Sequence, residues 1–187
     1  MILLLVLVVW LLLAAGLGVS GQLQNLRPPG PQLILLGLTT GLLFLWWLNR
    51  SARACINRVD LRAMVGLHLT RFVGLYFLYL CGQGELPREF AVPAGWGDIA
   101  VATGAAVSLI FWSSFGSKRP WLMAWNTLGL VDIIFVVVSA ARIGTEDPNA
   151  MAALLRIPLS LLPTFLVPLI IVSHAVIFSR LQRERAT

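Results

Sequence analysis

Residues 121–141 read WLMAWNTLGLVDIIFVVVSAA. A helix that spans a bilayer needs roughly 20 mostly apolar residues, and this run meets that length with only Asn126 and Asp132 as strongly polar interruptions. Its apolarity is continuous, whereas a membrane β-strand alternates between lipid-facing and lumen-facing residues, so the run predicts a helix. Five more stretches read the same way: Met1–Val19, Gln32–Asn49, Ala63–Gly82, Ile99–Phe115 and Pro158–Ser179. The expected architecture is all-α, a single polytopic transmembrane helix bundle of residues 1–187 with six spanning helices.

Composition agrees. The chain is 58% hydrophobic and 12% charged, about half the charged fraction of an ordinary soluble domain, so it lacks the polar residues to cover itself in water. The net charge of +6 is spread over the connections rather than gathered on one module, which argues against nucleic acid as a partner. The two cysteines, Cys55 and Cys81, fall at opposite membrane faces with the third span between them, so a disulfide is not expected.

Lys and Arg orient the bundle. Arg50, Arg53, Arg58, Arg62, Lys118, Arg119, Arg180, Arg183 and Arg185 fall on one side, against Arg27, Arg88, Arg142 and Arg156 on the other. Both termini are therefore expected to be cytoplasmic. The first run also resembles a signal-peptide core, with small residues at Ala14–Gly18, but no Lys or Arg precedes it, which disfavours cleavage. Trp46, Trp47, Trp96, Trp112 and Trp121 mark interfacial boundaries.

Three connections carry structure of their own. Ala52, Cys55, Ile56, Val59 and Ala63 recur at helical spacing beside Arg50, Arg53 and Arg58, predicting a short basic helix on the inner surface whose arginines meet anionic lipid headgroups. Gly82–Gly97 is rich in Gly and Pro and predicts an irregular or re-entrant outer segment. Asp147-Pro148 predicts the N-cap and first residue of a short surface helix over Asn149–Ile157.

Polar residues inside spans are the functional candidates, because an ionisable group there costs around 2.5–3.5 kcal/mol by insertion scales. At 1.5 Å per residue, His68, Asn126 and His174 lie about 9 Å inside the cytoplasmic boundary, with Arg71 and Asp132 nearer the midplane. Arg71 is one turn beyond His68, and Asp132 is the acidic group at matching depth, so an Arg71–Asp132 pair is predicted. Asp132→Asn is then expected to destabilise the protein unless Arg71 is also neutralised. The five residues either hold the bundle together or line a hydrated cavity for proton transfer or an anionic ligand.

No cofactor is expected. A haem between His68 and His174 is the alternative, since two imidazoles at equal depth on different helices are a bis-histidine pattern. Gly95-Trp96-Gly97-Asp98 matches the G-x-G-D pattern of intramembrane aspartyl proteases, which need two aspartates sharing a proton. Its partner is missing, because Asp132 follows the motif and is expected about 9 Å deeper. Asp98 instead reads as the N-cap of the fourth helix. With Glu85 and Arg88 it forms a second candidate site on the outer loop.

Gly66, Thr70 and Gly74, and Ala100, Gly104 and Ser108, repeat every four residues and predict close helix contacts, within the chain or in a homo-oligomer. Pro163 and Pro168 free the carbonyls of Leu159 and Thr164, which either sit at a tolerated kink or bind water or a cation.

The segments RFVG at Arg71–Gly74 and GELPREFAVPAGWGD at Gly84–Asp98, with weaker echoes at Asn126–Asp132 and Pro163–His174, resemble a pattern found in uncharacterised bacterial polytopic membrane proteins. The resemblance implies a bacterial cytoplasmic membrane and no particular activity. Two functions are expected from the sequence: a small transport or ligand-binding protein using the polar cluster, or a structural or assembly subunit. A haem-binding protein or membrane-embedded enzyme comes third, because no nucleophile–base pair, metal ligand set or phosphate loop is visible.

Overall fold

The computed structural model describes residues 2–183; Met1 and Arg185, both used in the sequence reading, lie outside them. Among these residues the chain is all-helical and contains no strand. The α-helices are α1 (Ile2–Val19), α2 (Gly30–Leu48), α3 (Arg50–Asn57), α4 (Leu61–Leu67), α5 (Gly74–Gly82), α6 (Arg88–Ile110), α7 (Arg119–Glu146) and α8 (Val167–Arg183). Five stretches are long and apolar enough to cross a membrane: Gly30–Leu48, Leu61–Gly82, Arg88–Ile110, Arg119–Glu146 and Leu162–Arg183. This is the structure of a membrane protein.

The chain forms two compact units, one of residues 1–56 with 139–169 and the other of residues 57–138 with 170–187. In the first, α1 and α2 turn Leu4, Leu5, Leu12, Leu13, Leu36 and Trp47 outward, surface that hydrocarbon rather than water must cover. Leu162–Leu166 form a π-turn with Pro163 in its first turn, where proline is tolerated. The Thr164 carbonyl, expected to be freed by Pro168, accepts the indole N–H of Trp10 at 3.0 Å, and Phe165 meets the Trp10 ring edge-on at 4.9 Å. A side chain takes the place of the water or cation considered for that carbonyl.

The basic segment after α2 is helical as expected, over Arg50–Asn57, with the Asn49 side chain accepting the Ala52 N–H at 3.0 Å. Arg53 reaches back to the carbonyls of Trp46 and Trp47, capping α2. The Asp147 connection differs from expectation. Asp147 does accept the Asn149 N–H at 2.9 Å, but only Ala152–Leu155 coil, as a 3₁₀ turn. Pro158 disfavours helix at the residue before it, so the segment between two prolines is too short for an α-helix.

In the second unit the third span is not uniform. Between α4 and α5 the residues His68–Val73 tighten into a 3₁₀ helix. The fourth span is the main correction. The Gly/Pro-rich segment expected to be irregular as far as Gly97 is helical from Arg88, leaving only residues 83–87 as a turn, with Gly84 at φ 75° reversing the chain. Pro93 sits early in α6, where a missing N–H removes a single ladder bond. Phe90, Ala91, Ala94, Asp98, Val101, Ala102, Ala105 and Ser108 are buried at helical spacing. This face extends without interruption through the supposed loop.

One end of this unit is tied together by its basic residues. Arg180 donates to the Val59 carbonyl at 2.6 Å, Arg119 donates to that of Leu181 at 2.8 Å, and the Arg62 guanidinium lies 5.2 Å from the Trp112 ring centre.

Candidate functional site

The 3₁₀ turn at His68–Val73 positions the site. Side chains three residues apart eclipse in a 3₁₀ helix, so His68 and Arg71 project the same way into the second unit, at 0% and 1% exposure. Isolated there, a guanidinium would carry a large desolvation penalty. Instead it is held on three sides. Its Nε donates to Asp98 Oδ1 at 2.6 Å, Nη1 donates to the Gly129 carbonyl at 2.9 Å, and Nη2 donates to Asp132 Oδ2.

The expected Arg71–Asp132 pair is therefore present, and a second carboxylate joins it. Asp98 is the eleventh residue of α6 rather than the cap before it, because the helix begins at Arg88. It lies about 15 Å along the helix from Arg88 at 1.5 Å per residue. The outer-loop grouping of Glu85, Arg88 and Asp98 thus comes apart: Glu85 and Arg88 are exposed near the start of α6, while Asp98 is 3% exposed within the polar cluster. The same shift removes the depth mismatch used against a protease dyad. What now opposes that reading is Arg71, which binds both carboxylates where a dyad would share a proton.

Beside the ion cluster lies a histidine pair. His68 and His174 have ring centres 4.4 Å apart, and both are fully buried. Their tautomers follow from the partners. Ser173 Oγ gives its proton to the Ile170 carbonyl at 2.7 Å, so at the 3.1 Å contact His68 Nε2 must donate to Ser173. Asn126 Nδ2 donates to the His174 carbonyl at 3.1 Å, which turns Asn126 Oδ1 toward His174 Nδ1 at 2.8 Å and makes that nitrogen the donor. The neutral His68 ring then keeps one bare lone pair, at Nδ1, which has no hydrogen-bond partner, while His174 Nε2 lies against Gly129.

Glycines let the backbone meet these groups. A Cβ on Gly97 would overlap the Asp132 carboxylate, and one on Gly129 would come within 2.7 Å of the His174 ring. Gly74 is pressed against Gly95 and Asp98 in the same way, so part of the small-residue spacing read as a packing seam also frames the site. Trp125 closes another wall, edge-on to His68 at 4.9 Å, with its N–H donated to the Val101 carbonyl at 3.0 Å.

All five residues of the first candidate set, His68, Arg71, Asn126, Asp132 and His174, thus belong to one unit, in two adjoining groups. Sequence reading placed Asp98 in the wrong site, on the outer loop, and missed Ser173 and the roles of Gly97 and Gly129. The buried periodicity from Phe90 onward was the signal that would have placed Asp98. Haem does not fit between the histidines. Bis-imidazole ligation needs iron about 2 Å from a nitrogen of each ring with the macrocycle between them, and these rings touch. Among the described residues no group of three or more His, Cys, Asp or Glu is placed to hold a metal ion.

Residues 28–182 match the family described as a domain of unknown function, DUF8737, and the chain belongs to that family. No curated protein and no solved structure matches it.

Proposed function

We propose that this chain is a small transport or ligand-binding protein whose intramembrane cluster binds and releases a proton. The observation that carries this reading is the sharing of one buried guanidinium by two carboxylates. With both aspartates ionised and both histidines neutral the cluster holds one uncompensated negative charge, which a low-dielectric interior penalises by several kcal/mol. A proton cancels it, and acceptors are at hand in the carboxylates of Asp98 and Asp132. Asp132 is the entry side, because its side chain is 17% exposed against 5% for Asp98.

In this reading α1 is a sixth span, the chain is a multi-pass protein of a bacterial cytoplasmic membrane, and both termini are cytoplasmic. Support for α1 comes from its 18 residues, near the lower limit of about 17 for a span, and from the seat of Trp10 on Thr164 and Phe165. Support for the orientation comes from the joined basic end at Arg62, Arg119 and Arg180.

An architectural role as an assembly subunit is the second reading, favoured by how tightly Gly97 and Gly129 pack on the cluster. Infrared titration separates the two, with isotope-edited histidine NMR on the protein in lipid. The proton reading expects one group of the cluster to exchange a proton near neutral pH. If both carboxylates stay ionised and both imidazoles stay neutral throughout, the architectural reading stands.

A further inference from the structure

In the first unit the apolar helices α1 and α2 leave a groove between them. Leu5, Val9 and Leu13 recur every four residues along α1, Gly37, Gly41 and Leu45 do so along α2, and the two faces border a space of about 570 Å³. From the first to the last of these positions each helix advances about 12 Å, at 1.5 Å per residue. Both helices rest on the π-turn at Leu162–Leu166. The two glycines keep the groove open, because a Cβ on either would meet nothing within 4 Å.

The groove is apolar. Among the described residues that line it, only Trp10 carries a polar side-chain atom, and its N–H is donated to the Thr164 carbonyl. Water there would find no hydrogen-bond partner, so an alkyl chain suits the space better.

A charged end sets this groove apart from other lipid-facing surface. Arg53 is fixed beside that end, since its Nε and Nη2 donate to the carbonyls of Trp46 and Trp47, the two residues after Leu45. Arg50 is exposed and lies three residues earlier on α3, which makes it a neighbour of Arg53 on the helix surface. No Asp or Glu occurs before Asp60. The acidic residues of this unit, Glu146 and Asp147, belong to the opposite end of α2, where Gly144 faces the Gln32 side chain. Gln32 is about 24 Å along α2 from Leu48.

A second copy of the chain fits this pattern poorly. Copies inserted in one membrane share an orientation, so a second α2 in the groove would bring its own Arg50 and Arg53 to the same level, and like charges repel. A phosphate does the reverse, and the planar fork of arginine suits its oxygens.

We infer that the groove is a phospholipid site, with one acyl chain between α1 and α2 and an anionic headgroup on Arg50 and Arg53. Surrounding hydrocarbon is as apolar as the groove, so the headgroup supplies the selectivity and the groove supplies the fit. The proposal is independent of the proton cluster, since none of these residues belongs to it.

The test is native mass spectrometry of the full chain in detergent after incubation with phosphatidylglycerol or with phosphatidylcholine of the same chain length. Wild type is expected to retain phosphatidylglycerol at least ~fivefold better, the scale of one arginine at an anionic headgroup. Arg50→Gln with Arg53→Gln should bring the two lipids level. Gly37→Leu with Gly41→Leu fills the groove from open positions on a helix that favours leucine over glycine, so this variant should fold and retain both lipids at least ~fivefold less, through lost packing. Leu36→Ala, at an exposed position of α2 outside the groove, should change neither. The proposal is overturned by equal retention of the two lipids in wild type, by a preference that survives the arginine variant, or by full retention in the glycine variant. A dimer that the glycine variant makes monomeric, with lipid retention unchanged, assigns the groove to a second copy and also overturns it.

Discussion

Arg71, against Arg27 and Arg156, puts one side chain in opposite surroundings. Arg71 is enclosed, and its guanidinium is engaged by Asp98, Asp132 and the Gly129 carbonyl. Arg27 and Arg156 are exposed, and they border a cavity that no carboxylate lines. An arginine surrounded by its own chain's acceptors has its donors committed within the fold, whereas an exposed one is hydrated.

Arg71→Met is the largest test of that contrast. It strands two buried carboxylates, so a loss of about 3–5 kcal/mol is expected, the usual penalty for breaking a buried ion pair from one side. Unfolding in detergent measures it. Adding Asp98→Asn and Asp132→Asn should recover most of the loss, because the charge left behind is what destabilises. Arg27→Gln and Arg156→Gln should each stay within about 0.5 kcal/mol of wild type, as surface substitutions do. Equal losses at Arg71 and Arg27 would break the comparison.

Glycines sharpen it next. Gly97 faces the Asp132 carboxylate across a gap too small for a methyl group, whereas a Cβ on Gly37 of α2 would meet nothing within 4 Å. Gly97→Ala is expected to destabilise by about 1–3 kcal/mol through overpacking. Gly37→Ala is expected to stabilise by about 0.5–1 kcal/mol, the ordinary helix preference for Ala. Both are read as shifts in unfolding midpoint, and the opposite signs are the point of the measurement.

The same glycines explain what could and could not be read from the sequence. Apolar length pointed to the five helices long enough to cross a membrane, and depth counted along untilted helices paired Arg71 with Asp132. The counting failed on α6. Pro93, Gly95 and Gly97 look like breakers, and starting the helix after them put Asp98 at its end. In the fold Gly95 lets α6 approach Gly74 of α5, and Gly97 makes room for Asp132. These residues answer to neighbours distant in sequence, and local propensity holds no record of such contacts. The histidine tautomers were hidden for a related reason, since they depend on Ser173 and Asn126 reaching across helices.

Asp98 also changes the smallest of the expected effects. If Asp132 were the only counter-ion of Arg71, Asp132→Asn would leave a buried cation unpaired and unfold much of the protein. With Asp98 held to Arg71 at 2.6 Å, the same substitution leaves a neutral pair, and the new amide oxygen still accepts from the guanidinium. The expected loss is under about 1 kcal/mol, the scale of one net hydrogen bond. Asp132→Asn should nevertheless abolish the proton exchange assigned to the cluster, because the surplus negative charge that attracts the proton is gone. A variant that stays folded and no longer exchanges a proton separates the charge balance of the cluster from its role as a brace. A variant that unfolds returns Asp132 to architecture.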